Sequence, residues 1–407
     1  MSVINLKNNI IQTIASKSAI LLLNFAVVVF STRLWGTEGR GAIALFMANL
    51  SLISSVSNIF TGSSVSYFLL KRGFSKLILQ AYLWVFIISA ISGIIFHVYD
   101  YATPSTLLFI AATLFGFISF HSSVFIGNQR IKYYNLITVI QPVFQIAAML
   151  LFYYWFEKSY FAYFYGIITS YALAFIICSI LTRKTQDKIC CRLDKSTLKE
   201  TFLYGWQIEL SSFLQFFNYR LSFYFLNYFL GAASVGVFSV GVTISEAIWI
   251  VSRSISMVQY SNVVKQGDTK DSQSETKITA KYSFFISLIC LIFVLCLPKQ
   301  VFSLVFGAGF EGVKRVILLL SPGILAIAVS NVYGNYFSAI GKVRILILKS
   351  AIGVVFTVGL SVWLIPTMQV TGACIVNASS YIVSSIVLFW FFYRKNIAAS
   401  RTGCIAR

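Results

Sequence analysis

Polar sequence is what this chain has least of, and each shortage excludes something. Charged residues make up 11% of it, and Asp and Glu together number 12 in 407 residues. No P-loop and no HExxH occur, so ATP-driven transport within this chain and zincin chemistry are unsupported. The one GxGxxG, Gly307-Ala-Gly309-Phe-Glu-Gly312, lies between two apolar spans. A dinucleotide site needs that motif inside a βαβ unit. Histidine is limited to His97 and His121, each expected to be a hydrogen-bonded histidine rather than a proton relay. The seven cysteines (Cys178, Cys190, Cys191, Cys290, Cys296, Cys374 and Cys404) fall in apolar stretches or on the expected inner side. No outer loop holds a pair for a disulfide, and Cys190 and Cys191 are expected as reduced thiols. Cys404 is fourth from the end, but Arg407 does not fit a prenylation box. The longest outer loop, between Pro298 and Arg315, leaves little room for an outer-face site that extends or joins glycans. No catalytic residue, cofactor or metal is expected.

What the chain has is apolar length. Hydrophobic residues make up 58% and the mean hydropathy is +0.82. A hydrocarbon core about 30 Å thick takes about 20 helical residues to cross, and only helices or closed barrels satisfy their own backbone in lipid. Twelve runs have that length: Ile11–Trp35, Ala42–Leu70, Leu77–Val98, Ser105–Ile126, Tyr134–Trp155, Tyr160–Leu181, Gly205–Leu230, Ser234–Val263, Thr279–Leu297, Val316–Ile340, Ile345–Pro366 and Val370–Tyr393. Barrel strands alternate and stay near ten residues. The expected class is therefore an all-α polytopic membrane protein with about twelve transmembrane helices. The first run is too long for a signal peptide and lacks a small-residue cleavage site, so it is read as retained.

Lysine and arginine set the orientation. With the N-terminus inside, inner segments hold Lys71, Arg72, Lys76, Arg130, Lys132, the six basic residues from Arg183 to Lys199, Lys265, Lys270, Lys277, Lys281, Lys342, Arg344 and Lys349. The C-terminal tail adds Arg394, Lys395, Arg401 and Arg407, whereas the outer side has only Arg33, Arg40, Lys158, Lys299, Lys314 and Arg315. Both termini are expected to be cytoplasmic. Trp35, Trp155 and Trp363 then fall at outer ends and Trp206 and Trp390 near inner ends, as interface belts do. The net charge of +20 is accounted for by this asymmetry and does not call for nucleic acid.

The longest polar stretch divides the chain into an N-terminal six-helix lobe (1–181), a cytoplasmic linker (182–203), a C-terminal six-helix lobe (204–393) and a tail (394–407). The turn after the first span carries Gly36 and Gly41, and the turn after the seventh carries Gly231 and Gly236. The same five-residue spacing at corresponding places suggests a repeat. Six spans per half make it parallel, about an axis along the membrane normal.

Five charges lie inside spans: Lys17, Glu209, Arg220, Glu246 and Arg253. Each costs roughly 2.5–3.5 kcal/mol at mid-bilayer on insertion scales, so they must face a cavity or one another. Glu209 and Arg220 are three helical turns apart and share a face, as do Glu246 and Arg253 at two turns. Two cross-helix pairs are permitted, Arg220 with Glu246 and Glu209 with Arg253. They can hold helices together, or they can line a cationic cavity in which the carboxylates carry protons or pair with the cations. Lys17 has no carboxylate in the first two spans to pair with; it either contributes to the cavity or snorkels to the inner interface.

Several segments together resemble the O-antigen and polysaccharide flippases (Wzx-like) of the multidrug/oligosaccharidyl-lipid/polysaccharide exporter superfamily. They are Trp35-Gly-Thr-Glu-Gly-Arg-Gly41 with Gly62-Ser-Ser-Val-Ser-Tyr67; Asn218-Tyr-Arg-Leu-Ser222, Asn227-Tyr-Phe-Leu-Gly231, Val235-Gly-Val-Phe-Ser239 and Ser245-Glu-Ala-Ile-Trp249; and Leu364-Ile-Pro366 with Thr371-Gly-Ala373. The resemblance implies two six-helix lobes around a cavity in the bacterial cytoplasmic membrane. It also implies alternating access, carrying an undecaprenyl-diphosphate-linked oligosaccharide from the inner to the outer leaflet. Lys17, Arg220 and Arg253 become the candidates for diphosphate or acidic-sugar contact, arginine being suited to bidentate phosphate binding. Glu209 and Glu246 become candidates for coupling or ion pairing. Phe213, Phe216, Phe217, Tyr219, Phe223 and Tyr224 are available as an aromatic lining. Many relatives carry an aspartate near Tyr219–Phe223, where this chain has Ser222, so an acidic coupling role at that place does not carry over. The expected partners are the lipid-linked oligosaccharide, membrane lipid and polysaccharide assembly proteins. A multidrug/cation antiporter of the same superfamily is the alternative transporter, followed by a lipid II flippase. A membrane-embedded glycan polymerase or ligase is the alternative from another class, and a scaffold role in a polysaccharide assembly complex is compatible with all of these.

Overall fold

The computed structural model describes the backbone of residues 3–99, 104–183 and 193–404, and the side chains of 19–99, 104–183, 193–250 and 252–394. Lys17, Cys190, Cys191 and Cys404 therefore lie outside the described side chains. The helices are α1 (Val3–Thr61), α2 (Ser63–Arg72), α3 (Phe74–Tyr99), α4 (Ser105–Gly127), α5 (Ile131–Trp155), α6 (Phe161–Arg183), α7 (Lys195–Leu230), α8 (Ala232–Gln266), α9 (Lys270–Cys296), α10 (Lys299–Phe306), α11 (Val313–Ala339) and α12 (Val343–Cys404). The described residues contain no strand. Nine helical segments among them are long and apolar enough to cross a membrane.

The two longest helices are each broken once. Gly36 (φ 63°, ψ −159°) kinks α1, and Gln369 (φ 55°, ψ −134°) kinks α12 three residues after Pro366. Proline removes an N–H from the helix ladder, and glycine enters the left-handed region without a Cβ penalty. The polar stretch expected as a linker is helical from Lys195 onward. Asp194 accounts for this: it accepts from the Ser196 N–H at 3.2 Å and from Thr197 Oγ1 at 2.8 Å. A carboxylate bonding the early N–H groups in this way is a helix-starting device.

The contacts divide the chain into two compact units, Met1–Phe213 and Leu214–Arg407. In unit 1 one core joins Phe46 of α1, Leu108 and Ala111 of α4, Met149 of α5 and Phe164 of α6, with Phe46 stacked on Phe164 at 4.3 Å. A second joins Phe60, Val65, Phe68, Leu77 and Phe120. Gly205 of α7 lies directly against the Ile59 carbonyl of α1, where a Cβ would collide with it. In unit 2, Val263, Val332, Tyr336, Leu388 and Phe392 pack together. Lipid is as apolar as a leucine side chain, so helices associate there through close packing and interhelical hydrogen bonds. Ser252 of α8 and Ser283 of α9 both donate to the Ala328 carbonyl of α11. Many other large apolar side chains, such as Leu22 and Leu70, are exposed, as expected of helices that face lipid.

Three junctions have the same local geometry in both units. Gly36 follows the first stretch of helix, and Gly231 (φ 81°, ψ 174°) separates α7 from α8. Gly73 (φ 80°) separates α2 from α3, and Gly267 (φ 69°) separates α8 from α9. Gln129 (φ 57°) precedes α5 and Gly341 (φ 73°) precedes α12. The last pair shares its hydrogen bonds too. Arg130 N donates to Phe125 O at 2.8 Å and Lys342 N to Phe337 O at 2.9 Å. Gln129 N donates to Ile126 O at 3.0 Å and Gly341 N to Ser338 O at 3.1 Å. The motif Gly307–Gly312 forms the turn between α10 and α11, with Gly307 and Gly309 at positive φ. It joins two helices, so it is not a dinucleotide turn.

Candidate functional site

Two of the intramembrane charges of unit 2 meet between α7 and α8. Arg220 Nη2 lies 2.8 Å from Glu246 Oε1 of α8, and the two side chains are 27% and 26% exposed. This is the first of the two pairs that helix geometry permits. The Arg220 guanidinium also stands 5.2 Å from the centre of the Phe223 ring. Tyr219, one residue earlier, lies within electrostatic reach of Arg253, Glu246 and Arg220, and Gln215 donates to its hydroxyl.

Tyr219 belongs to a three-ring cluster. Its ring centre lies 5.6 Å from Trp249 and 5.5 Å from Tyr381, edge to face. Trp249 and Tyr381 are 5.9 Å apart. Edge-to-face pairs of this kind contribute about 0.5–1.5 kcal/mol beyond burial. Trp249 is three residues after Glu246 and so on the same face of α8. That spacing is the signal from which Trp249 could have been added to the expected lining. Tyr381, on α12, has no such signal. Phe216 and Phe223 of the expected lining are buried.

Beside the charges, α7 meets α12 through neutral polar groups. Asn218 Oδ1 accepts from Thr357 Oγ1 at 3.2 Å and from Ser380 Oγ. Ser222 Oγ donates to Asn377 Oδ1. All five residues are buried. The place where relatives are expected to hold an aspartate is filled by uncharged, mutually bonded groups.

Arg253 is exposed and lies one turn beyond Trp249 on α8. Lys349, in the second turn of α12, is half-buried and within electrostatic reach of Arg253. Its place near the inner end of a span made it look like an orientation signal, and only the packing of α12 brings it toward Arg253. Arg253 thus has Lys349 as a like-charged neighbour, while Glu246 is paired with Arg220. Glu209 belongs to unit 1 and Arg253 to unit 2, and neither forms an ion pair within its own unit among the described residues. Glu209 stands beside the α1–α2 break, where a Cβ on Gly62 would lie 3.2 Å from its Oε1.

Unit 1 carries a separate set of ion pairs at its basic end. Arg72 Nη2 reaches both carboxylate oxygens of Glu200 at 2.6 and 2.7 Å, and Lys76 lies 3.2 Å from Asp194. The Arg72 hydrogen bond holds the Glu200 carboxyl below its ordinary value. The Thr197 hydroxyl, followed by Lys76, does the same for Asp194. His121 is buried with both ring nitrogens occupied, Nε2 at 2.7 Å from Tyr82 OH and Nδ1 at 2.8 Å from Thr182 Oγ1. It is a structural histidine, as expected. The described cysteines, Cys178, Cys290, Cys296 and Cys374, are free. No cluster of potential metal ligands occurs among the described residues.

Residues 6–260 match the family model of polysaccharide biosynthesis proteins. The chain belongs to that family. Residues 244–405 match the model of the lipid II flippase MurJ. A capsular polysaccharide biosynthesis protein, CapF of Staphylococcus aureus, is 24% identical over 275 residues, covering 66% of this chain and 68% of CapF. Among solved structures, the inward-facing conformation of a multidrug resistance MATE family transporter of the MOP superfamily matches with a TM-score of 0.74 at 15% identity. That match covers 94% of this chain and 96% of the other. The MATE multidrug transporter DinF-BH matches with a TM-score of 0.69 at 16% identity, covering 96% of this chain and 95% of the other. This member of the polysaccharide biosynthesis family is thus a multi-pass membrane protein with a MATE-like fold, a flippase or transporter.

Proposed function

We propose that the protein moves an undecaprenyl-diphosphate-linked oligosaccharide from the inner to the outer leaflet of the bacterial cytoplasmic membrane by alternating access. The observation that carries this reading is the grouping of cations in unit 2, where Glu246 is paired with Arg220 and Arg253 has Lys349 as a like-charged neighbour. A diphosphate is a compact dianion, and charge-assisted hydrogen bonds from arginine and lysine are a strong recognition element for it. The ring cluster of Tyr219, Trp249 and Tyr381 is packed in a core beside Arg220 and Glu246 and holds the helices that carry the charges. In this reading Arg253 and Lys349 contact the anion. Glu246 holds Arg220 in place, and Glu209 is a coupling or pairing carboxylate.

Multidrug/cation antiport has the fold likeness on its side. A lipophilic cation, however, calls for an excess of carboxylate, and this site has the opposite sign. Acidic coupling at Ser222 is ruled out by residue type, so any coupling group lies elsewhere.

The reading includes twelve crossings. Breaking α1 at Gly36 and α12 at Gln369 adds two segments to the nine. Adding α7, whose Gln207, Glu209, Gln215, Asn218 and Arg220 lower its hydropathy, completes the number. The paired junctions at Gly36 and Gly231, Gly73 and Gly267, and Gln129 and Gly341 support two parallel halves with both termini cytoplasmic.

The test is reconstitution of the full chain in liposomes. Leaflet exchange of a polyprenyl-diphosphate oligosaccharide and uptake of a lipophilic cation dye are measured on the same preparation. Exchange without dye uptake supports the proposal; dye uptake coupled to an ion gradient, without exchange, replaces it with the antiporter.

A further inference from the structure

At the basic end of unit 1, α2 and the first turns of α7 enclose an open groove of about 560 Å³, lined among others by Tyr67, Lys71, Arg72, Glu200, Tyr204 and Gln207. Its wall is an aromatic stack. Tyr67 and Tyr204 lie face to face at 4.6 Å with 11° between the planes. Phe68 meets both edge-on, at 5.0 and 5.7 Å. Lys71 Nζ stands 4.0 Å from the Tyr67 ring centre and donates to the Tyr67 hydroxyl at 2.7 Å. Arg72 is committed to Glu200, and Lys76 to Asp194. Lys71 has no carboxylate within ion-pair distance among the described residues. The groove thus holds one uncompensated cation, positioned by a ring rather than neutralised by an acid.

The flanks of the groove are apolar. Leu70 is 77% exposed, Leu203 50% and Trp206 46%. Leu203 lines the groove, and Leu70 and Trp206 adjoin its lining residues Lys71 and Gln207 in the chain. Exposed tryptophan at the end of an apolar span is typical of the membrane–water interface. A cation with hydroxyl and amide donors at the mouth, and apolar sides running away from it, fits an anion that arrives with hydrocarbon attached. A soluble anion has no use for the flanks, and a cationic ligand is repelled by Lys71. We propose that this groove binds the phosphate headgroup of an anionic glycerophospholipid from the adjoining leaflet, with Lys71 as the anion contact. The proposal does not depend on what the protein transports.

The experiment is native mass spectrometry of the purified full chain with added phosphatidylglycerol or phosphatidylcholine. The wild type is expected to retain phosphatidylglycerol in preference. Lys71→Gln is expected to lose roughly fivefold of that preference, the scale of one basic residue at an anionic surface. Lys76→Gln, outside the groove, is expected to keep it. Tyr204→Leu removes the stack but not the charge and is expected to give an intermediate loss. An unchanged preference in Lys71→Gln, with the variant eluting as the wild type does, overturns the proposal. Displacement of the bound lipid by millimolar inorganic phosphate makes this a free-anion site and also overturns it. So does retention of a polyprenyl diphosphate with no preference for phosphatidylglycerol, which assigns the groove to the carried lipid.

Discussion

Arg220 of α7 and Glu246 of α8 meet at 2.8 Å with about a quarter of each side chain exposed, so each removes the cost of leaving the other charge alone inside a membrane protein. Removing one partner of a fully buried pair costs about 3–5 kcal/mol; for this partly exposed pair the cost is smaller but still enough to reduce accumulation. Arg220→Ala and Glu246→Ala are therefore expected to lower membrane abundance. The exchanged pair, Arg220→Glu with Glu246→Arg, is expected to restore abundance while leaving glycan export impaired, because the cation then sits on the other helix. Immunoblots of membranes together with surface glycan staining in a null strain read both. Full rescue of export by the exchange makes the pair purely structural.

Arg253 and Lys349 have no carboxylate between them, so their removal relieves repulsion rather than breaking a pair. Arg253→Ala and Lys349→Ala are expected to accumulate normally and to lose export. The double variant is expected to be no worse than the poorer single one if both hold the same anion, since residues acting as a unit are non-additive. Complementation with abundance controls measures this, and normal export in Lys349→Ala removes that residue from the site.

Asn218 gathers hydroxyls from Thr357 and Ser380. Asn218→Ala leaves both without that acceptor, although each also bonds the Gly353 carbonyl. An unsatisfied buried polar group costs about 1–3 kcal/mol, and the second acceptor places the loss at the low end. A modest drop in detergent-solubilised thermal stability is expected, with Asn218→Asp tolerated better than Asn218→Leu.

The ion pairs at the start of α7 have a defined pH range. Asp194 and Glu200 are both held below their ordinary values of 3.8 and 4.5. Depressed carboxylates contribute stability above the unfolded-state value and lose it as pH falls through the folded one. Backbone protection across 194–201, followed by hydrogen exchange corrected for intrinsic rate, is expected to be flat from neutral pH down to about 5 and to fall only below about 4. Glu200→Gln is expected to remove the Glu200 share of that acid-side change. A loss of protection already between pH 7 and 6 contradicts the assignment.

Gly205→Val is expected to abolish accumulation, because any Cβ there meets the Ile59 carbonyl. Gly231→Ala is expected to be milder. It has open space around it and suffers only the strain of a positive-φ extended backbone, roughly 1–3 kcal/mol. Membrane abundance of the two variants side by side separates close packing from backbone strain.

Much of the site was legible because its residue types are costly where they stand. Arg220 and Glu246 stood out as charges in apolar runs, and antiparallel helices with fixed rise put them at one depth, so their meeting followed from spacing. The turn at Gly36 and Gly231 was visible as a repeated glycine spacing. The turn at Gln129 and Gly341 was less so, although Phe125 and Arg130 recur as Phe337 and Lys342. A Schellman-type turn needs a left-handed residue but no particular flanking sequence. Glutamine in that role on one side hides the match.

The sequence by itself determined that this chain is helical and lies in a membrane, because backbone groups in lipid must be paired within the segment and apolar length is unavoidable. It also determined the supply of cations within the spans, since charges there are too costly to be incidental. Only the tertiary structure decided which of them share surroundings. Lys349 reads as an ordinary inner-end lysine until α12 packs in unit 2 and brings it toward Arg253. Glu209 reads as a partner for a cation until the break at Gly62 is found beside it. Helix periodicity fixes which residues of one helix share a face; which helices then meet, and at what rotation, is set by small residues and hydroxyls such as Ser252, Ser283 and Ser380, whose role appears only once their neighbours are in place.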